Sequence, residues 1–142
     1  MGGAGELNHS FLKPESPESG AGERFYHHVE SVPVVARYNK TASATVSAKI
    51  TGIHDLFVLK TPEAEKALAD YYRYVALALS HVINLLNPEA IVLGGGISRS
   101  IEIGRLKALI DSCVYPAFVG SFALARSRKG DLAGVLGAAL LV

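Results

Sequence analysis

The longest periodic segment of the sequence, residues 61–86, most constrains what this chain can fold into. Apolar residues recur there every three or four positions, the spacing of one face of an α-helix. Thr61 can cap the first turn, Pro62 suits the first helical position, and Pro88 cannot continue the helix. We therefore predict a helix of about 38 Å that ends before Pro88. The predicted buried stripe consists of Ala64, Leu68, Tyr71, Val75, Leu79, Val82 and Leu86.

A short apolar run and three glycines follow this helix. Ala90 to Leu93 is rich in branched residues and ends at Gly94-Gly95-Gly96, a pattern typical of a buried parallel strand that leads into a tight turn. Residues 103–113 have helical spacing, 121–127 alternate like a strand, and 132–142 are predicted to form a last helix. Because a helix follows a strand twice, the order predicts an α/β layered fold.

The first 60 residues are less regular. Gly, Pro, Ser and Glu dominate residues 1–22, and within them residues 13–20 are predicted to form an exposed, mobile loop that cannot hold a helix or a ladder. We predict a helix near residues 34–39, whereas residues 41–49 fit either a strand or a loop. The expected organisation is an amino-terminal segment over residues 1–60 and an α/β lobe over residues 61–142.

Composition excludes several classes of protein. Of the 142 residues, 14 are Lys or Arg and 13 are Asp or Glu, so no general field attracts nucleic acid. The single cysteine, Cys113, excludes an internal disulfide and a zinc site built from several cysteines, and it is predicted to act as a small hydrophobe. The longest apolar run is shorter than the roughly 20 residues of a spanning helix. We expect a cytoplasmic protein that contacts neither a membrane nor nucleic acid.

Two stretches carry a family resemblance. Residues 84–98 (NLLNPEAIVLGGGIS) and 130–139 (GDLAGVLGAA) closely resemble the ROK family of sugar kinases and sugar-responsive repressors. The resemblance implies the carboxy-terminal lobe of an actin-like ATPase, a ribonuclease H-like α/β fold that is incomplete without its amino-terminal lobe. It also implies that Gly94, Gly95 and Gly96 lie against the adenosine and phosphates of a nucleotide.

The amino terminus is similar to a sugar-binding motif of the same family. Residues 4–9 (AGELNH) resemble its alanine-glycine-glutamate-aliphatic-glycine-histidine motif, with Asn8 in place of the glycine. The resemblance implies that Glu6 and His9 bind sugar hydroxyls, and it places His27 where relatives have a second sugar-contacting glutamate. Relatives commonly continue with a cysteine-rich zinc loop, and since this chain has no cysteine there, we expect no structural zinc.

The remaining titratable residues are weaker candidates. His27 and His28 are adjacent and should point apart, so we interpret both as surface residues and predict no metal site. His54 and Asp55 are expected in a loop, and His81 is expected to be a packing or surface residue of the long helix. We find no persuasive hydrolase triad and no catalytic residue.

These features leave three functions open. The first is the hexose- and ATP-binding lobe of a ROK-type sugar kinase, inactive alone, which uses ATP with magnesium only in a complete two-lobe assembly. Its expected partner is the missing amino-terminal lobe or a second copy of the chain, because a bare small-residue last helix should self-associate. The second is the sugar-sensing and dimerisation lobe of a ROK repressor. The third is a degenerate lobe kept for oligomer contacts.

Overall fold

The computed structural model describes residues 7–13, 22–42, 49–129 and Leu132. The chain divides into two compact units, residues 1–78 and 79–142, and the long predicted helix contributes residues to both. The elements are mixed α and β, as the sequence predicts.

The first unit contains two short strands that were not predicted, and they overlap the predicted loop 13–20 only at Lys13; the rest of that loop lies outside the described residues. After a 3₁₀ turn at Leu7–His9, strand β1 (Phe11–Lys13) pairs antiparallel with β2 (Glu23–Arg24). Phe11 lies opposite Arg24 and Lys13 opposite Glu23. Local composition could not reveal this pairing, because the two strands lie on either side of the Pro- and Ser-rich stretch.

Three helices follow these strands and precede the long helix. They are α1 (Tyr26–Val29), α2 (Ser31–Thr41) and α3 (His54–Val58). Helix α2 confirms the helix predicted near residues 34–39 and extends it at both ends. Pro33 is tolerated because it lies in the first turn, where backbone N–H groups have no intrahelical partner. Of residues 41–49, where strand and loop were alternatives, Thr41 instead ends α2, and residues 43–48 lie outside the described residues.

Helix α4 (Pro62–Leu86) confirms the most specific prediction of the sequence. The backbone N–H of Ala64 donates to the Thr61 hydroxyl at 3.2 Å, so Thr61 caps the helix as expected. The predicted stripe is only partly right, since Tyr71 is buried but Leu86 is 69% exposed. The buried positions are Ala64, Tyr71, Tyr72, Ala76, Ser80 and Ile83. Most of α4 is apolar on more than one face, so periodicity alone did not show which face is covered.

The second unit contains the parallel strands predicted on either side of a helix. Strand β3 (Ala90–Leu93) pairs in parallel with β4 (Ala123–Arg126), and α5 (Ile103–Asp111) lies between them in sequence and contacts β4. The expected burial of β3 is wrong, because Val92 is 62% exposed. A parallel strand is buried only when both of its faces are covered. The described residues of this unit leave much of β3 uncovered.

Helix α5 is shorter than the predicted 103–113 segment. Leu106 and Ile110 are buried, as their spacing indicates. Cys113, predicted to continue the apolar positions of this helix, lies beyond its end and is exposed. The predicted last helix, 132–142, lies outside the described residues except for Leu132. No helix in the described ranges combines the length and the hydropathy needed to cross a bilayer.

Candidate functional site

The rings of His9 and His27 both lie beside the ring of Tyr26 in the first unit. The His9 ring lies nearly parallel to the Tyr26 ring, with 6.0 Å between centroids and 13° between planes. The His27 ring meets the same tyrosine edge-on, at 5.6 Å and 76°. Both histidines are exposed. The structure thus brings together two of the three residues predicted to bind sugar, whereas Glu6 lies outside the described residues.

The β1–β2 pairing positions this group of rings, which we call the Tyr26 cluster (His9, Tyr26 and His27). The Arg24 Nη1 donates to the His9 carbonyl oxygen at 2.7 Å, and the guanidinium lies 3.7 Å from the centroid of the Phe11 ring. These contacts hold β2 against β1 and against the 3₁₀ turn before β1. Tyr26 did not stand out in the sequence, because only this long-range pairing places His9 beside it.

Backbone contacts fix the orientation of His27. The backbone N–H of Arg24 donates to His27 Nδ1 at 3.1 Å, so the neutral ring must carry its proton on Nε2. The Arg37 Nη1 donates to the His27 carbonyl oxygen at 3.1 Å. His27 therefore presents an exposed N–H donor, with two arginines bound to the surrounding backbone.

His28 is buried, which contradicts the surface position predicted for it. Its ring stacks on Tyr74 with centroids 3.6 Å apart. Nε2 lies 2.6 Å from Glu23 Oε1, and Arg37 Nη1 lies 3.0 Å from Nδ1. Because arginine only donates, Nδ1 accepts and Nε2–H donates to Glu23. Burial is the main cause that lowers the pKa of His28; the Glu23 hydrogen bond opposes it and the Arg37 charge adds to it.

The glycine turn (Gly94, Gly95 and Gly96) follows the carboxyl end of β3 in the second unit, and all three residues are exposed. Gly95 has φ 78° and ψ 171°, a backbone region open essentially to glycine. Apart from chain neighbours, no heavy atom lies within 4 Å of an added Cβ at Gly94 or Gly95. The backbone here is open to a close ligand, so its geometry fits the predicted nucleotide contact.

Arg126 is a further residue of this region that the sequence analysis treated only as part of an alternating strand. It ends β4 opposite Leu93, so it lies at the same edge of the strand pair as the glycine turn. Its Nε donates to the Ser98 carbonyl oxygen at 2.9 Å, and its Nη2 donates to the Ile101 carbonyl oxygen. Arg126 therefore fixes the 3₁₀ turn, Gly96–Arg99, that follows the glycines.

The other titratable candidates have structural positions. His54 and Asp55 begin α3, so the expectation that they lie in a loop is wrong. Asp55 Oδ2 accepts the backbone N–H groups of Thr51 and Gly52 at 2.9 and 3.1 Å, and these bonds lower the pKa of Asp55. His81 is exposed on α4, one of the two positions expected for it. Among the described residues, no three His, Cys, Asp or Glu side chains are grouped to hold a metal ion.

A separate cleft of about 350 Å³ lies in the first unit between α2 and the start of α4. Tyr38 lines it and is almost fully buried, and its hydroxyl has no hydrogen-bond partner in the described part of the chain. Of the described residues predicted to bind sugar or nucleotide, none lines this cleft. The other lining residues are Arg37, Thr41, Glu63, Lys66, Ala67 and Asp70.

Comparison with known proteins gives consistent matches over the whole chain. A family model described as the ROK family matches residues 1–142. Glucokinase of Thermotoga maritima is 31% identical over 153 aligned positions, which cover 96% of this chain and 48% of that protein. The xylose repressor of Bacillus spizizenii is 27% identical over 144 positions, which cover 99% and 37% respectively.

A solved structure agrees with these sequence matches. The ROK hexokinase of Thermus thermophilus is similar with a TM-score of 0.69 and 28% identity, over 99% of this chain and 49% of that one. This likeness confirms the α/β lobe predicted from the sequence. The chain spans about half the length of the two kinases and a smaller share of the repressor.

Proposed function

Because the chain belongs to the ROK family, we propose that it is the sugar- and ATP-binding half of a hexose kinase of that family. The observation that carries this proposal is the meeting of His9 and His27 at one tyrosine ring. The two histidines are far apart in sequence, and the family resemblance places both at positions where relatives contact sugar. The glucokinase and hexokinase matches favour a kinase and a hexose.

The sugar-binding roles follow from side-chain chemistry. Imidazole nitrogens donate or accept hydrogen bonds and a carboxylate accepts them, so His9, His27 and Glu6 together can satisfy sugar hydroxyls of either polarity. Tyr26 holds the two imidazoles in place and offers an aromatic surface beside them.

The glycine turn supplies the nucleotide contact in this proposal. Gly94, Gly95 and Gly96 lie beyond the carboxyl end of a parallel strand, where ligands of α/β folds commonly bind. Bound ATP with magnesium would supply the phosphoryl group, and the chain's own part is to hold the adenosine and phosphates with exposed backbone. Arg126 keeps the adjoining turn in place.

We assign no general base to this chain. Phosphoryl transfer needs a positioned base for the sugar hydroxyl and groups that grip the phosphates. In this proposal both come from the half of the relatives that the chain does not span, either as a preceding lobe or as a separate partner. The site of action is the cytoplasm, where ATP is available.

Calorimetric titration tests the two binding functions separately. We expect the chain to bind glucose and magnesium-ATP, each saturably, and to release no ADP from the mixture. His9→Ala should weaken glucose binding about tenfold or more and leave ATP binding unchanged. His54→Ala, at an exposed histidine outside the Tyr26 cluster, should change neither. If neither glucose nor magnesium-ATP binds in any titration, the proposal is refuted. ADP release would refute the dependence on a second half.

A sugar-responsive regulator is the second candidate, favoured by the repressor match over 99% of the chain. In that case the chain senses sugar and dimerises, and DNA is read by a segment other than this one. Glucose or xylose binding without any ATP binding would favour the regulator over the kinase. A lobe that binds neither ligand but forms stable oligomers would match the third alternative, a degenerate interaction lobe.

A further inference from the structure

Ser98 is a buried serine two residues after the glycine turn, and only 3% of its surface is exposed. Its hydroxyl donates to the Gly95 carbonyl oxygen at 2.7 Å, and its backbone N–H donates to the same oxygen at 3.2 Å. A carbonyl oxygen has two lone pairs, so these two bonds use the acceptor capacity of Gly95. The carbonyl group at the centre of the turn is therefore engaged within the chain.

The backbone N–H groups of the glycine turn remain available to a ligand. Those of Gly94, Gly95 and Gly96 donate to no acceptor in the described part of the chain, and all three residues are exposed. Backbone N–H groups form charge-assisted hydrogen bonds with anionic oxygens. The turn thus offers donors around a carbonyl oxygen that is already bonded, an arrangement that suits phosphate oxygens.

The strand pair holds Ser98 in place through Arg126. The ladder places Arg126 opposite Leu93, the residue that leads into the glycine turn. Arg126 Nε donates to the Ser98 carbonyl oxygen at 2.9 Å, and Nη2 donates to the Ile101 carbonyl oxygen. Ser98 is therefore bonded on both sides, by its hydroxyl to Gly95 and by its carbonyl oxygen to Arg126. These bonds connect the conformation of the turn to the β3–β4 pair.

We propose that Ser98 is a positioning residue for nucleotide binding: its hydroxyl keeps the Gly95 carbonyl engaged and leaves the N–H groups of the turn to the phosphates. The inference rests on the proposed nucleotide contact and adds the side chain that sets the hydrogen-bonding polarity of the turn. Because Ser98 is buried, it acts through Gly95 and does not touch the nucleotide. Without its hydroxyl, an acceptor would be freed beside phosphate oxygens that have no proton to donate to it.

Calorimetry on the full chain with magnesium-ATP, adenosine and glucose tests this role. Ser98→Ala should weaken magnesium-ATP binding about tenfold, because the freed carbonyl competes with the phosphates. It should leave adenosine binding nearly unchanged, since adenosine has no phosphate, and glucose binding unchanged. Ser98→Thr keeps the hydroxyl and should retain most of the affinity for magnesium-ATP. Urea denaturation establishes that each variant is folded.

Two serines of the same unit provide matched controls. Ser112 makes the same kind of bond after α5, from its hydroxyl to the Leu109 carbonyl oxygen at 2.7 Å. Ser80, on α4, is as buried as Ser98, with 1% of its surface exposed. Ser112→Ala and Ser80→Ala should both leave magnesium-ATP affinity unchanged.

Hydrogen exchange on the unsubstituted chain tests the same inference without a substitution. Bound magnesium-ATP should slow the exchange of the Gly95 and Gly96 N–H groups, because they then donate to phosphate oxygens. Bound adenosine should not. Exchange at both glycines that magnesium-ATP leaves unchanged would contradict the role given to these N–H groups.

The possible failures are distinguishable. If Ser98→Ala binds magnesium-ATP as tightly as the unsubstituted chain, the inference is overturned and the proposed nucleotide binding stands. An equal loss for adenosine, in a control variant or in Ser98→Thr would show a general structural effect and would also overturn it. If the unsubstituted chain does not bind magnesium-ATP, the nucleotide part of the proposed function fails together with this inference, whereas glucose binding is tested separately.

Discussion

Backbone geometry at a single residue distinguishes the first two of the three glycines that follow β3. Gly95 has a φ of 78°, whereas Gly94 is not among the residues with positive φ, and neither position is crowded. We expect Gly95→Ala to lower the free energy of unfolding by about 1–3 kcal/mol, because only glycine enters this region without strain. Gly94→Ala should leave it unchanged or raise it slightly. Urea denaturation of both variants measures this, and equal losses would contradict the assignment.

Buried His28 should make stability depend on pH. Its pKa is lowered in the folded chain, so below about pH 6.5 the unfolded chain takes up a proton that the folded chain excludes. The free energy of unfolding should therefore fall as the pH is lowered through about 6.5. His28→Asn removes the titration and should flatten this slope.

Denaturation between pH 8 and pH 5.5 measures the dependence on His28. Glu23, Arg37, His27 and Tyr74 surround the ring, so the comparison that matters is the difference between the variant and the unsubstituted chain. Identical slopes for the two proteins would show that His28 is not responsible.

His28 also shows what the sequence could not predict at this scale. Its neighbour His27 is exposed, as was expected for both histidines. What buries His28 is the Tyr74 ring, which belongs to a different helix far along the chain. A contact between distant segments leaves no local pattern, so the sequence indicated the residue type and not its surroundings. The same reason applies to Tyr26 and Arg126.

At the scale of elements, the start of α4 allows a matched test of capping. The Thr61 hydroxyl accepts the Ala64 N–H at 3.2 Å. Thr61→Ala should lower the free energy of unfolding by about 1 kcal/mol, whereas Thr61→Ser keeps the hydroxyl and should change it little. Urea midpoints of the two variants measure this. A serine variant as unstable as the alanine variant would mean that the hydroxyl is not the stabilising group.

The elements were more predictable than their surroundings. Capping, proline positions and periodicity are local signals, and they correctly indicated α4, the β3–β4 pair and the core of α2. Burial depends on what covers an element. Leu86 and Val92 were both expected to be buried and are exposed. Periodicity therefore identifies an apolar face but does not show whether another element packs on it. The β1–β2 ladder was missed because its strands are separated by a stretch typical of loops.

At the scale of the whole molecule, exposed apolar side chains favour association. In the second unit, Leu85, Leu86, Val92 and Tyr115 are each more than 60% exposed. Large apolar side chains left in water favour contacts with another surface. We expect the isolated chain to self-associate at micromolar concentration, as measured by sedimentation velocity.

Two valines provide the control for this prediction. Val92→Thr should reduce association by removing exposed apolar surface from β3. Val58→Thr makes the same change at a valine of the first unit that is 76% exposed, and it should have less effect. A monodisperse monomer of the unsubstituted chain would contradict the prediction.

The fold class and the family followed from two local stretches, and the matches over residues 1–142 confirm both. The candidate site was predictable only in part. His9 and His27 were chosen from a resemblance, whereas their meeting at Tyr26 required the three-dimensional structure. His27 presents an N–H donor because its Nδ1 accepts the backbone N–H of Arg24, and no sequence pattern encodes that hydrogen bond.

The pairing of β1 with β2 bears on how this region can vary among descendants of the sequence. The two strands are held together by their backbone pairing and by the ion pair between Lys13 and Glu23 at 3.0 Å, and neither contact involves the residues that join the strands. Closing a loop twice as long costs only about 0.6 kcal/mol more. Insertions and deletions between Lys13 and Glu23 should therefore be inherited with little penalty, while His9 keeps its place beside Tyr26.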